Sequence, residues 1–137
     1  MKLAVGMGCD RNVSLETLET ALDQALASIR ASRADIACFS SIDKKNDEVA
    51  LLNLAKNENK PLQFFTADEL AQVPVPNPSE TVRKHMGTPA VSEAAALLAA
   101  KNESATKTDQ QHLLVEKYKY LGIDGKNATV SIARMEI

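Results

Sequence analysis

A short apolar run ending in glycines, Leu3-Ala-Val-Gly-Met-Gly8, is followed closely by an apolar stripe of helical spacing. Leu15, Leu18, Leu22, Leu26 and Ile29 recur every three or four residues, which predicts an amphipathic helix of about five turns. Ser14 stands where a side-chain oxygen can cap the first turn, and Glu16 faces the positive end of the helix dipole. Arg30 and Arg33 are placed to face the negative end. A buried strand feeding a long helix through a tight turn is the opening of an α/β layer fold.

The rest of the chain keeps that alternation. Asp35 to Ser40 reads as a second buried strand, and Asp47 to Asn57 as a second helix. Asn57-Glu-Asn-Lys-Pro61 ends it, because Asn tolerates the left-handed conformation and Pro cannot continue a helix. Leu62-Gln-Phe-Phe65 predicts a third strand, and Thr66-Ala-Asp-Glu69 a capping box opening a short helix. Val73-Pro-Val-Pro-Asn-Pro78 is held extended by its three prolines and is read as a loop crossing the sheet edge. Ser79 caps the next helix, through His85. Gly87 marks a stop, with Thr88 as cap and Pro89 as first residue of an alanine-rich helix that must pack closely. Lys101 to Asp109 is polar and reads as a mobile surface segment. His112 to Lys117 and Ala128 to Arg134 are the last strands, with Asp124-Gly125 between them allowing an antiparallel hairpin with a long connection. The expectation is a three-layer α/β/α sandwich around a mostly parallel or mixed sheet of about five strands, with residues 1–137 forming a single domain.

Composition narrows the function. A 45% hydrophobic, 25% charged chain of 137 residues builds a real core, so disorder is excluded. Sixteen basic against eighteen acidic residues give a net charge of −2, so no global field draws nucleic acid or acidic lipid. An anionic ligand must therefore meet a local basic cluster. With 4% aromatics and no Trp, a large flat ligand is not gripped mainly by stacking. The two cysteines are too few for a disulfide scaffold. Leu3 to Val5 is too short for a signal peptide or membrane span, so a soluble cytoplasmic protein is expected.

Candidate site residues collect at strand-to-helix junctions, where open α/β sheets bind ligands. Gly6 and Gly8 fall in a turn after the first strand, which is neither a dinucleotide fingerprint nor a phosphate loop. Cys9 lies beside a helix start and Arg11, which lower a thiol pKa, but neither His85 nor His112 is placed beside it as a base. The cysteines and histidines lack zinc-site spacing, so no metal or cofactor is expected. Ser41, Lys45 and Glu48 follow the second strand and reach the same sheet edge, where Ser41 or Asp43 also serves as a helix cap. Glu93 opens the alanine-rich helix, either complementing its dipole or pointing into a site. Lys117 ends a buried strand and reaches the same edge or snorkels to water.

These segments, in order, resemble the CobE / CbiG C-terminal domain family of cobalamin biosynthesis. Gly6-Met-Gly-Cys-Asp-Arg11 resembles its glycine–cysteine–arginine loop, and Ser41 to Glu48 its serine-to-lysine-to-glutamate segment. Pro76-Asn-Pro-Ser79 with Val82 and Gly87, then Val91 to Leu97, resemble the next two blocks. Leu113 to Lys117 and Thr129 to Arg134 resemble the closing strands. The chain departs at Asp10 and Asn12, where the family loop carries a basic residue and a glycine, and at Ala50, where glycine is common. The resemblance implies binding of a precorrin-type tetrapyrrole, or a contribution to cobalt-precorrin-5A lactone hydrolysis. It implies substrate contacts from Gly6, Gly8, Cys9, Arg11, Ser41, Lys45, Ser79, Gly87 and Lys117, with Glu48 or Glu93 as general base. The alternative it leaves open is a non-catalytic carrier or partner module for another corrin-pathway enzyme.

Overall fold

The computed structural model describes residues 1–101, 105 and 107–135. Ten regular elements follow in order. They are β1 (Leu3–Cys9), α1 (Leu15–Ser28), β2 (Ile36–Ile42), α2 (Val49–Glu58), β3 (Leu62–Phe65), α3 (Ala67–Ala71), α4 (Glu80–Met86), α5 (Ser92–Ala100), β4 (Leu113–Leu121) and β5 (Asn127–Arg134). The strands form one five-stranded sheet in the order β3-β2-β1-β5-β4. The first three strands run parallel, while β5 pairs antiparallel to β1 and to β4, so the sheet is mixed.

Both faces of the sheet are covered. Leu3, Val5 and Met7 of β1 point to one face, where they join Leu18, Leu22 and Leu26 of α1 and Leu51 and Leu54 of α2 in a single core. Ala4 points to the other face and packs with Ala94, Ala95, Ala96 and Leu97 of α5. This strict alternation along β1 sets small residues against α5 and large ones against α1. At Gly6 a Cβ would lie 2.1 Å from the Ser92 carbonyl oxygen and 2.7 Å from the Ala96 nitrogen. The alanine-rich helix therefore rests directly on the strand.

Several helix boundaries follow the sequence signals closely. Ser14 Oγ accepts from the Thr17 N–H at 3.1 Å, and Ser79 Oγ accepts from Val82 N–H at 3.2 Å. The Thr66/Glu69 capping box is complete, and Asn59 ends α2 with φ at 55°.

Others are corrected. Gly6, Gly8 and Cys9 belong to β1 itself, because the ladder to β5 continues through Cys9 opposite Ala128. The turn that follows is Asp10 to Ser14, with Asn12 at φ 62°. Helix α1 stops at Ser28, and Arg30 adopts φ 55° just beyond it, so neither arginine lies in the last turn. Arg33 instead bridges Asp23 at 2.8 Å, Glu19 at 3.1 Å and Glu58 at 3.0 Å, tying α1 to the end of α2. Thr88 and Pro89 do not open α5, which begins at Ser92 after an uncapped Val91. Thr88 is fully buried and donates to the Ala90 carbonyl, which holds the chain out of helix. The β4–β5 connection is a short turn rather than a long one, closed by the Gly122 N–H donating to the Lys126 carbonyl at 2.9 Å. Of the polar stretch 101–109, residues 102–104 and 106 lie outside the described residues.

Candidate functional site

A cleft of about 580 Å³ opens at the C-terminal end of β1, on the face that carries α5. Its floor and walls come from five places in the chain. Strand β1 contributes Gly8 and Cys9, the turn after β2 contributes Lys45, and α4 contributes Thr81, Val82, His85 and Met86. The start of α5 contributes Val91 and Ser92, and the hairpin contributes Lys117, Lys119 and Thr129. Arg11, Asp10 and Ser79 complete the rim.

Each group is held by a traceable arrangement. Arg11 donates to Asp47 Oδ1 at 2.6 Å, to Glu48 Oε2 at 3.1 Å and to the Lys44 carbonyl. Its hydrogen bond to Asp47 is the main reason its pKa rises, and the same bond holds the Asp47 carboxyl below its ordinary value. Glu48 is 4% exposed, and its Oε1 accepts the Asn12 N–H at 2.8 Å. Both Glu48 oxygens are thus engaged, and the residue lies outside the cleft lining. It clamps the β1–α1 turn to the turn after β2. Arg11 likewise commits both terminal nitrogens to that clamp.

Lys45, carried by the turn that Arg11 pins, is 4% exposed and lines the cleft. Its carbonyl accepts the Glu48 N–H at 3.0 Å, but its ammonium makes no hydrogen bond or ion pair among the described residues. Its neighbour Lys44 donates to the Met86 carbonyl at 3.1 Å, joining this turn to the end of α4.

Lys117 lies in the middle of β4, not at its end. The β4–β5 register slips twice, between Leu113 and Val115 and again between Val115 and Tyr118. Such bulges re-aim side chains. Val115, Tyr118 and Tyr120 all pack into the α1-side core, so the second slip turns Lys117 and Lys119 to the opposite, cleft-bearing face. Burial, and then the Lys119 ammonium, push the Lys117 pKa below its ordinary value, while Glu93 opposes the shift.

Glu93 is the second residue of α5 and is fully buried. Its Oε2 accepts from Asn77 Nδ2 at 2.8 Å, and its Oε1 has no partner. Asn77 also donates to Glu116 at 3.1 Å, so the proline-dense loop is fastened to both α5 and β4. Burial raises the Glu93 pKa, opposed by the Asn77 hydrogen bond and by Lys117.

The remaining expected residues divide clearly. Cys9 and Gly8 line the cleft, but burial pushes the Cys9 thiol up to about 11, the reverse of an activated nucleophile. Asp10 accepts from the Asn127 N–H at 2.8 Å and from its side-chain amide at 3.0 Å, which closes the end of the β1–β5 ladder. Ser41 is buried in β2, where its hydroxyl donates to the Met7 carbonyl at 2.6 Å, and it caps no helix. Gly6 is the contact between β1 and α5. Gly87 ends α4 at φ 78°, outside the cleft lining. Sequence reasoning missed Asn77, His85, Ser92 and Lys119. Lys119 alone carried a signal, since residues two apart on a strand share a face.

The family model for the cobalamin synthesis G C-terminus matches residues 3–133. The chain belongs to this family. Cobalt-precorrin-5A hydrolase of Priestia megaterium is 35% identical over 96 residues, 70% of this chain and 26% of that protein. Protein CobE of a Sinorhizobium species is 32% identical over 104 residues, 74% of this chain and 68% of that one. The crystal structure of CobE, described as a protein of the cobalamin (vitamin B12) biosynthetic pathway, superposes with a TM-score of 0.76 at 28% identity. That match covers 99% of this chain and 93% of CobE. The chain thus spans about a quarter of the hydrolase it matches and most of CobE. As a cobalamin biosynthesis G C-terminal domain, it brings parts of the segments that carry the resemblance to one cleft, while Gly6, Ser41, Glu48, Gly87 and Glu93 lie outside its lining. No helix of the described residues is long and apolar enough to cross a membrane, and they hold no metal-type cluster of His, Cys, Asp and Glu.

Proposed function

We propose that the chain binds a precorrin-type tetrapyrrole intermediate of cobalamin biosynthesis in this cleft, through the intermediate's peripheral carboxylates. The observation that carries the reading is the pair of ammonium groups Lys45 and Lys117, which line one cleft in a chain of net charge −2. Lys45 follows β2 and Lys117 lies on β4, so three strand spacings separate their backbones, about 14 Å. Two cationic poles so far apart serve different acidic groups of one wide ligand. Between them the walls offer Val82, Met86 and Val91 and almost no aromatic surface, consistent with a macrocycle held by its rim.

Of the two carboxylates expected as general base, Glu93 alone keeps an unengaged oxygen. In a lactone-opening reaction it is the group available to take a proton from water. The second reading, a carrier or partner module without chemistry, is favoured by one observation: Glu93 is fully buried and outside the cleft lining. Possible partners on that reading are neighbouring enzymes of the corrin pathway.

The test has two parts. The purified protein is titrated with a corrin-ring polycarboxylate and followed by visible absorption; no spectral change and no binding would sink the reading. Complementation of a corrin-pathway deletion by Glu93→Gln then divides the alternatives. Loss of function with retained binding supports chemistry at Glu93, and retained function supports the carrier.

A further inference from the structure

Two features of the cleft lack hydrogen-bond partners among the described residues. The first is Lys45, a residue only 4% exposed that lines the cleft and whose ammonium makes no hydrogen bond or ion pair among the described residues while keeping contact with the cleft solvent. A cation held on a cleft wall without a bonded partner is free to engage an incoming anion through a charge-assisted hydrogen bond. The second is the first turn of α5. This nine-residue helix has Val91 at its N-cap, a residue with no side-chain oxygen to offer. The N–H groups of Ser92, Glu93 and Ala94 consequently have no acceptor among the described residues, while Ala95 N–H already bonds to the Val91 carbonyl. Val91 and Ser92 line the same cleft as Lys45. Gly6 explains how close α5 comes to β1, because a side chain there would collide with the Ser92 carbonyl and push the start of the helix away.

We propose that Lys45 and the open first turn of α5 form a subsite for one carboxylate, of the kind borne on a short aliphatic side chain. The proposal rests on the reading of the cleft as a polycarboxylate site and adds where one acid docks. The ammonium supplies a single positive charge, and the helix end supplies N–H donors with a partial one. Arg11 adds little net charge here, since Asp47 and Glu48 already balance its guanidinium. The Glu93 carboxyl in the same turn further disfavours a doubly charged head group. A monoanionic carboxylate matches this balance better than phosphate. Lys117 and Lys119, on β4, are left for other acids of the same ligand.

The experiment uses ¹⁵N-labelled full-length protein and succinate as the probe. The amide signals of Ser92, Glu93 and Ala94 and the Nζ signal of Lys45 are followed together. Succinate is expected to shift all four in one saturable transition, and succinamide to leave them unmoved. In Lys45→Gln, the amide shifts at residues 92–94 should require at least about tenfold more succinate, the loss of one charge-assisted contact. Wild-type signals that ignore succinate overturn the subsite without reliance on any variant. Saturation by inorganic phosphate at lower concentration than succinate overturns the carboxylate assignment. Succinate binding without binding of the corrin polycarboxylate refutes the tetrapyrrole reading but not the subsite. The converse refutes only the subsite.

Discussion

The Arg11 guanidinium donates to Glu48 Oε2 at 3.1 Å, while the other oxygen of the same carboxylate receives the Asn12 backbone N–H. This pairing joins the turns that follow the parallel strands β1 and β2 at one edge of the sheet and fixes the turn that carries Lys45. A residue expected to act as a base instead serves as a clamp.

Replacing Glu48 separates the two roles. Glu48→Gln keeps an acceptor for the Asn12 N–H and should retain binding of the corrin polycarboxylate and pathway complementation. Glu48→Ala strands that donor in a buried place and should cost about 1–3 kcal/mol in urea denaturation. Loss of complementation in a stably folded Glu48→Gln would return catalysis to Glu48.

Glycine substitutions should differ sharply with position. In Gly6→Ala the new methyl meets backbone atoms of α5 at 2.1 and 2.7 Å, where no side chain can yield. A loss of about 1–3 kcal/mol or more is expected from overpacking, with α5 displaced and ligand binding weakened. Gly125→Ala faces open space and strains only its own φ of 76°, a cost of about 1–2 kcal/mol. Its binding should match wild type. Equal binding by both variants would contradict the role given to the β1–α5 contact.

Asp124 makes stability depend on acid. Its carboxylate accepts the Ser14 N–H at 2.9 Å, the Lys126 N–H at 3.0 Å and the Thr17 hydroxyl at 2.8 Å. These bonds, the Ser14 N–H foremost, hold it down to about 2 from an ordinary 3.8. A depressed folded-state pKa contributes stability that is complete above the unfolded value and lost as pH falls through the folded one. Melting temperature should therefore drop between about pH 4 and pH 2. Asp124→Asn should be less stable at neutral pH and show a shallower drop over that window.

Cys9 should be unreactive despite lining the cleft. With its thiol pushed up to about 11 from 9.0, the thiolate fraction near neutral pH is about 100-fold below that of an ordinary thiol. Burial raises the Cys38 pKa as well. Iodoacetamide at pH 8 should label the folded protein slowly at both positions and rapidly once urea unfolds it. Fast labelling of Cys9 in the native protein would contradict its burial.

Much of the architecture was legible along the chain. The stripe from Leu15 to Leu26, the caps Ser14, Thr66 and Ser79, the stop at Asn59 and the strand Leu62–Phe65 all depend on residues a few positions apart. Hydrogen bonds and side-chain periodicity within one turn or one strand carry that information. The linked segments from Gly6 to Arg134 also carried the family. Only the tertiary structure decided which candidates face the cleft. Gly6 became a packing contact, and Arg11 and Glu48 became a clamp, each through a contact with a distant segment, while the Lys45 ammonium was left on the cleft wall without a hydrogen bond among the described residues. The turning of Lys117 and Lys119 toward the cleft depends on slips in the β4–β5 register, which no local pattern encodes. The Asn77–Glu93 hydrogen bond likewise exists only because the proline-dense loop returns to the start of α5. Local propensity determines which element forms, but the surroundings of a charged side chain are set by elements the chain reaches later.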